Sequence, residues 1–382
     1  MRRRSFLKGL ASVLAGLSLP RLTPTKHVLA ADEPSAPPSS LLLAVGGDTT
    51  PGANLQEHVD GQLAAGVPKE QLWPLYFAGI KSVLGAADLA LVNLECSFTE
   101  RGEKLSKRFN FRARPELVEI LKAGSVNVVT LANNHQMDYG TVGLEDTLAT
   151  LDAAGIAHFG AGKNLEAARQ PAVLERAGVK VGFLGYYFQS AANMLESRAL
   201  FATLNHPGVA GCFTDLACVR EQIVEDVQRL ALQTDAGFVY FHWGKEGSTE
   251  VLEYQIELAH LCIDLGCQGV FGAHPHRLQG VEVYRDRPIF YSLGNFVFGG
   301  NKDPQDKLSA IATLWVTQTG APAAELVPIQ ITRWPEAPFQ PFVLTGAARE
   351  EALTRIAALS EDFPQTLPML QPYVGKDRKP GA

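Results

Sequence analysis

The chain has 382 residues, of which 46% are hydrophobic, so it is long enough for one large or two modest globular domains with a substantial core. Its formal net charge is −6, but the first 30 residues carry six basic side chains and no acidic one. The rest of the chain has 28 basic and 40 acidic residues, a net charge of −12, which argues against nucleic acid or an anionic membrane surface as a partner.

The N-terminus predicts an export signal. Residues 3–8 (RRSFLK) fit the twin-arginine pattern, and a mildly apolar stretch follows over residues 9–19. That stretch is too short to span a bilayer as a stable helix. Small residues around Ala30 offer a cleavage point before Ala31. We therefore expect a signal peptide over residues 1–30 and a periplasmic or secreted protein that uses twin-arginine export.

A linker rich in Pro and Ser follows at residues 31–40, and strand-like runs then alternate with helical patterns. Helices are predicted from Pro115 to Gly124, from about residue 144 to Gly155, and over residues 251–265. Strands and helices that alternate at this spacing are typical of a largely parallel sheet.

Beyond His276 the pattern changes to strand-like runs separated by turns. We expect residues 281–284, 288–291, 310–316 and 324–331 to form an antiparallel set that completes a second sheet. One more helix is predicted over about residues 347–359. The sequence thus predicts a main domain over residues 41–331 and a C-terminal helix and tail over residues 332–382.

The five cysteines show no zinc-finger spacing. An oxidising compartment permits a disulfide between Cys212 and Cys218, although buried thiols are the favoured interpretation of this pair. Cys96 lies next to Glu95 and is interpreted as a packed thiol rather than as a metal ligand.

Five of the strand-like runs end in side chains that bind metals well. In open α/β sheets, ligands collect at the carboxyl ends of the strands, so these five ends predict one metal-centred site for one or two ions. The runs and the residues that follow them are 41–45 with Asp48, 89–92 with Asn93 and Glu95, 126–131 with Asn133, Asn134 and His135, 238–241 with His242, and 269–271 with His274 and His276.

These segments differ in how specifically they indicate a metal site. Two imidazoles separated by a proline, His274 and His276, have a rigid, divergent geometry that suits one histidine per metal ion. The polar segment 131–140 is also specific, and its alternative interpretation is a loop that caps the next helix. Gly47-Asp48 is weak by itself, because Gly-Asp is also a common turn.

Taken in order over about residues 41–300, these motifs resemble the bacterial capsule-synthesis family (CapA, poly-γ-glutamate synthesis). That family resembles the calcineurin-like metallophosphoesterases. The resemblance implies an α/β fold, a four-layer α/β/β/α sandwich of two mixed sheets, with a dinuclear centre between loops at one end of the sheets. The matching residues are Gly47-Asp48, Asn93 to Glu95, Asn133 to His135 with Asp138 to Gly140, Gly160 to Gly162, His242 to Gly244, His274 to His276 and Tyr291 to Phe296.

The resemblance also assigns metal ligands. Glu95 stands where a bridging carboxylate is found; Asn134, His242 and His274 would complete one site, and Asp48 and His276 would hold the other. Nitrogen and oxygen ligands without thiolate suit Mn, Fe or Zn.

The same resemblance assigns two catalytic residues. His135 matches the histidine that binds or protonates a transferred phosphate, and Asp138 would orient its ring. Two cations about 3.5–4 Å apart activate water and neutralise charge in such centres. One departure is Thr50, which replaces the histidine that phosphoesterases usually carry two residues after the first aspartate. We therefore expect the Asp48 site to bind metal more weakly.

Asn93, Arg112, Lys245 and Arg277 are candidate substrate-binding residues. The three cations suit an anionic substrate such as phosphate or a polyglutamate carboxylate, and a surface salt bridge is the alternative for each.

Three functions are consistent with these residues. The first is an exported protein with a metal-centred site that hydrolyses or transfers at a phosphate or amide of an anionic envelope polymer or phosphorylated precursor. The second is a periplasmic phosphoesterase or nucleotidase. The third is a non-catalytic, polymer-binding partner of a membrane synthase complex.

Overall fold

Residues 39–191 and 197–363 are described by a computed structural model. The predicted signal peptide, residues 31–38 of the predicted linker and the tail from residue 364 lie outside the described residues. In the part of the chain that is described, no helix has the length and apolar character needed to cross a membrane.

The described strands follow the predicted runs closely and add several others. They are β1 (Ser40–Thr50), β2 (Leu89–Leu94), β3 (Ser97–Phe98), β4 (Arg112–Ala113), β5 (Val128–Thr130), β6 (Ala157–Phe159), β7 (Ala161–Gly162), β8 (Ala172–Arg176), β9 (Val179–Gln189), β10 (Gly208–Val209), β11 (Gly211–Phe213), β12 (Ala236–His242), β13 (Gly269–Ala273), β14 (Val281–Tyr284), β15 (Arg287–Phe290), β16 (Asn295–Phe298), β17 (Leu308–Thr317), β18 (Ala323–Gln330) and β19 (Phe342–Val343).

The described helices include all four that the sequence predicts. They are α1 (Asn54–Ala64), α2 (Lys69–Leu75), α3 (Lys81–Leu84), α4 (Val118–Ala123), α5 (Gly140–Ala154), α6 (Leu165–Ala168), α7 (Leu216–Ala231), α8 (Glu253–Asp264) and α9 (Gly346–Leu359), with 3₁₀ turns at Ala78–Ile80, Pro115–Leu117 and Arg198–Leu200.

The strands form two large mixed sheets. The first has the order β19-β18-β17-β1-β2-β5-β6, with β16 also paired to β1. Within it β1, β2, β5 and β6 are parallel, so their carboxyl ends lie at one edge. The second sheet has the order β11-β9-β12-β13-β15-β14, with β8 paired to β9, and β9, β12, β13 and β15 are parallel.

Alternating side chains place the two sheets against each other. Leu89 and Leu91 of β2 share a core with Phe238 and Tyr240 of β12, whereas Val92 faces away from the second sheet. Because strand side chains alternate with a period of two, each sheet has a second apolar face. Helices α1, α4 and α5 cover that face of the first sheet, and α7 and α8 cover that of the second. The predicted four-layer α/β/β/α architecture is confirmed.

One prediction about the last strands is wrong. β14 and β15 pair antiparallel and extend the second sheet, but β17 and β18 extend the first. The reason is that β17 pairs with β1 over six residues, Ser40 to Val45, and so covers an edge of β1 that would otherwise lack a partner. The predicted domain boundary after residue 331 stays a prediction.

The cysteines give a second correction. Cys212, in β11, is bonded to Cys218 in α7, so this pair is a disulfide rather than two buried thiols. Cys96, Cys262 and Cys267 are free and buried. Cys96 packs in the apolar core outside the first sheet, as predicted.

Candidate metal centre

Residues from both sheets meet at one edge of the sandwich. Asp48 lies near the end of β1, and Glu95 directly follows β2. Asn134 comes four residues after β5, His242 ends β12, and His274 directly follows β13. Parallel strands whose carboxyl ends lie at one edge therefore bring these five distant segments together, as their positions in the sequence predict.

The metal-binding side chains form two groups that share one carboxylate. Glu95, His242 and His274 form the first group, and Asp48, Glu95 and His276 form the second. Within each group, the potential ligand atoms lie within 4.8 Å of one another. The arrangement suits two cations with Glu95 between them.

The first group is crowded around one ring nitrogen. His242 Nε2 lies 3.0 Å from Asn134 Oδ1, 3.0 Å from His274 Nδ1 and 3.4 Å from Glu95 Oε1. A single proton on His242 Nε2 can satisfy only one of these three acceptors. A cation could be held by all four atoms at once, because ligands about 2.1 Å from an ion lie about 3.0–3.4 Å apart at octahedral or tetrahedral angles.

The second group has a similar spacing. His276 Nδ1 lies 3.1 Å from Asp48 Oδ2, and His276 Nε2 lies 3.9 Å from Glu95 Oε1. Thr50 does not take part, because its buried hydroxyl donates to the main-chain oxygen of Glu95 at 3.0 Å.

Glu95 is a buried carboxylate that a bound cation would stabilise. The side chain is fully buried, and neither of its carboxylate oxygens accepts a hydrogen bond from the described residues. Buried polar atoms are nearly always paired, and an unpaired buried carboxylate is especially costly. The residues present therefore fit a divalent metal ion.

The backbone conformation of His274 and His276 also indicates a functional site. His274 has φ 99° and His276 has φ 53°, a region that residues other than glycine rarely adopt. Such strain persists where the surrounding structure imposes it, and it is concentrated at functional sites.

Burial and neighbouring charges set the protonation of the ligands in the metal-free protein. Burial raises the pKa of Glu95 well above its usual range, and Asp48 raises it further, while His276 opposes the shift. Burial also lowers the pKa of His242 and His274, so both rings are neutral at pH 7, as metal ligands must be. Burial lowers the pKa of His276 as well, but Glu95 and the hydrogen bond to Asp48 outweigh it and raise this pKa to about 10.

His135 and Asp138 form a hydrogen-bonded pair beside the ligands. His135 Nδ1 lies 2.6 Å from Asp138 Oδ2, and His135 Nε2 lies 4.0 Å from Glu95 Oε1. Asp138 Oδ2 also accepts from the backbone nitrogen of Phe111 at 2.6 Å, and Asp138 Oδ1 forms an ion pair with Lys107 at 2.8 Å. Because a carboxylate in such an ion pair only accepts hydrogen bonds, His135 donates through Nδ1 and turns Nε2 towards the metal ligands.

Asn93 lies deeper than predicted. It is fully buried, its amide nitrogen donates to Asp48 Oδ1 at 2.7 Å, and its oxygen accepts from Asn133 at 2.9 Å. The geometry makes Asn93 a positioning residue for metal ligands, and its predicted contact with substrate stays a prediction.

The site opens into a cleft of about 620 Å³. Lys107, Arg108, Arg277 and Glu246 are among the residues that line it. Arg277 was predicted to bind substrate, and it reaches the cleft while it donates to the main-chain oxygen of His276 at 2.9 Å.

Two other predicted anchors are not among the described residues that line the cleft. Arg112 is exposed, and its guanidinium lies 4.6 Å from the centre of the Tyr139 ring. Lys245 is exposed on the turn after β12. Lys107 and Arg108 are instead among the cationic residues that line the cleft. In the sequence, the only sign of these two was a pair of basic residues in a polar loop.

Known proteins are similar to this chain. The family described as "Bacterial capsule synthesis protein PGA_cap" matches residues 42–300. The chain is 31% identical to a "Probable polyglutamine synthesis accessory protein" of Mycobacterium tuberculosis over 291 residues, which cover 74% of this chain and 75% of that protein. It is 30% identical to "PGA biosynthesis protein CapA" of Bacillus subtilis, over 69% of this chain and 66% of that one.

A solved structure is also similar. The 5'-nucleotidase from Candida albicans SC5314 superposes with a TM-score of 0.41 and 12% sequence identity, over 75% of this chain and 51% of that one. The family match covers more than half of this chain and includes all six predicted metal ligands. The chain therefore belongs to the bacterial capsule synthesis protein family, PGA_cap.

Proposed function

We propose that this chain is an exported, metal-dependent enzyme that hydrolyses or transfers at a phosphate or amide group of an anionic envelope polymer, such as poly-γ-glutamate, or of its phosphorylated precursor. The observation that carries the proposal is Glu95, a fully buried carboxylate that is shared by two groups of metal-ligand side chains.

Asn134, Glu95, His242 and His274 would hold one ion, and Asp48, Glu95 and His276 the other. Their oxygen and nitrogen donors suit Mn, Fe or Zn. Ions bound there would supply Lewis acidity to the attacked group and help to form the nucleophile from water.

His135 is the proposed general acid. Asp138 holds the proton on Nδ1, so in the imidazolium form of His135 the second proton is on Nε2, and this is the atom that gives a proton to the leaving group or holds a transferred phosphate. The ring of Phe111 stacks on His135 with 4.3 Å between the ring centres and limits the orientations of the imidazole.

Charge in the cleft supports an anionic substrate. The chain after residue 30 has a net charge of −12, so the protein as a whole repels a polyanion. Lys107, Arg108 and Arg277 line the cleft and offset that repulsion where the substrate must enter.

Two observations support export and a partner. The Cys212–Cys218 disulfide suits an oxidising compartment, to which the predicted twin-arginine signal would deliver the folded chain. The Mycobacterium tuberculosis relative is named as a probable accessory protein of polyglutamine synthesis, and this supports the proposal that the chain works beside a membrane synthase.

The test uses protein exported with its own signal and purified from the periplasm. Bound metal is counted, and the protein is assayed with poly-γ-glutamate and with an aryl phosphate, using H135A as the matched control that keeps the metal ligands. The proposal predicts bound metal, turnover of at least one substrate, and loss of turnover in H135A. Metal-free protein, or metal-loaded protein without turnover that still binds the polymer, would favour the non-catalytic partner instead.

A further inference from the structure

The second ligand group lacks a fourth residue. Asp48, Glu95 and His276 offer one atom each, whereas zinc takes four ligands and harder divalent ions take about six. Thr50 lies two residues after Asp48, but its hydroxyl is turned to the main-chain oxygen of Glu95. The missing group must therefore come from another element or from solvent.

Asn295 lies where such a group is needed. Its Oδ1 is 2.9 Å from His276 Nδ1, the same nitrogen that lies 3.1 Å from Asp48 Oδ2. The side chain lines the cleft, and the residue is only 4% exposed. These separations are those of neighbouring ligands about 2.1 Å from one ion at right angles, which lie about 3 Å apart.

The fold holds Asn295 beside Asp48. The two residues are register partners on the parallel strands β16 and β1, so their side chains project to the same side. The backbone nitrogen of Asp48 donates to the oxygen of Gly294 at 2.9 Å. A Cβ atom on Gly47 would lie 1.9 Å from that oxygen, so this close approach of the strands requires glycine.

A second observation points to a cation at the same place. The oxygens of Glu95 are buried without a hydrogen bond from the described residues, and Glu95 belongs to this group. A proton on His276 Nδ1 would satisfy Asp48 or Asn295, but His276 Nε2 lies 3.9 Å from Glu95 Oε1, which is too far for a hydrogen bond.

We propose that Asn295 supplies an amide oxygen ligand to the ion held by Asp48, Glu95 and His276, in the position that Thr50 leaves unfilled. This inference rests on the proposed function only in requiring that metal binds at all. The competing role for Asn295 is that of a hydrogen-bond acceptor that orients His276.

Metal titration is combined with the visible absorption of bound Co²⁺, whose d–d bands change with the number and type of atoms bound directly to the ion. Bands in N295A and N295D that match those of wild type would assign Asn295 the hydrogen-bond role and overturn the inference. Chelator-treated wild type, N295A, N295D and the control N301A are titrated with Mn²⁺, and bound ions are counted by equilibrium dialysis. Asn301 is exposed and lines the same cleft, so it matches Asn295 in residue type but not in contact with the ligands. We expect two ions in wild type and N301A. N295A should bind the first ion normally and the second at least about 10-fold more weakly, while N295D should retain both because a carboxylate replaces the amide oxygen.

Several outcomes overturn the inference. The inference fails if wild type binds a single ion. It also fails if N295A binds two ions with wild-type affinities, or if N295A loses affinity for both ions equally. Circular dichroism of the metal-free variants shows whether each is folded. Wild type that binds no ion defeats the proposed function as well, whereas an unchanged N295A defeats the Asn295 ligand alone.

Discussion

The side-chain amide of Asn93 donates to Asp48 Oδ1 at 2.7 Å, and the same nitrogen lies 3.2 Å from His242 Nδ1. One buried amide thus contacts a member of each ligand group. Groups of this kind fix the orientation of ligands, and their loss typically lowers metal affinity 10–100-fold.

We therefore expect N93A to lower the metal affinity of both sites by about 10–100-fold. Its KM for substrate should not change, because in this role Asn93 does not contact substrate. The measurement is Mn²⁺ affinity by dialysis. A variant that binds metal normally but has a raised KM would instead restore the substrate contact that the sequence predicted for Asn93.

Glu95 gives a prediction about pH. Its pKa is raised in the folded, metal-free protein, so the native state binds more protons than the unfolded state above about pH 4.3. Stability from this group is therefore lost as pH rises from that value towards the folded-state pKa. E95Q removes the charge, and we expect the metal-free variant to have a higher Tm than metal-free wild type, by a margin that widens from pH 5 to pH 7.5.

The same variant has the opposite response to metal. Wild type should gain Tm when Mn²⁺ or Zn²⁺ is added, since a ligand that binds only the native state stabilises it. E95Q should gain little, because the shared carboxylate is gone. If metal-free E95Q is the less stable protein at pH 7.5, then the attraction between Glu95 and His276 outweighs the cost of burying the carboxylate.

His274 and His135 separate metal binding from proton transfer. H274A removes a ligand of the first group, so metal content and any activity should fall together. H135A removes a side chain that is outside both ligand groups, so metal content should persist while kcat falls by about 10²–10⁴-fold. Metal analysis and turnover are measured on the same preparations, and native activity in both variants would show that the site is elsewhere.

The sequence predicts well which polar side chains lie together at the edge of the sheets, because the information for this is local. A buried strand that ends in Asp48 or His242 is visible as an apolar run followed by a polar residue, and parallel strands carry such ends to one edge. The four-layer fold follows from the same alternation of strands and helices together with the family resemblance.

The residues that sequence reasoning missed depend on tertiary contacts. Lys107 reaches Asp138 from a loop without periodicity, and Asn295 reaches His276 because β16 lies beside β1. The partner of β17 was misassigned for a similar reason, because a strand pattern shows which residues are buried but not which sheet they join.

The disulfide gives a prediction that is independent of the metal site. Cys212 and Cys218 are six residues apart, and the entropy of a loop this small corresponds to about 2 kcal/mol of stabilisation. C212S, C218S and the double variant should lose similar amounts, because each removes the same bond. Thiol titration of unfolded, unreduced protein should find three thiols; five thiols would show that the bond does not form.

Gly47 tests the approach of β1 to β16. A Cβ atom at this position would lie 1.9 Å from the main-chain oxygen of Gly294, so G47A must push the two strands apart. We expect a loss of about 1–3 kcal/mol in the free energy of unfolding, together with weaker metal binding because Asp48 follows directly.

The control is G61A on α1, where a Cβ atom meets nothing within 4 Å. Since alanine is favoured over glycine in helices by about 0.8–1 kcal/mol, G61A should raise the Tm and leave metal affinity unchanged. If G47A binds metal as tightly as G61A does, the close contact between the strands does not determine the position of Asp48.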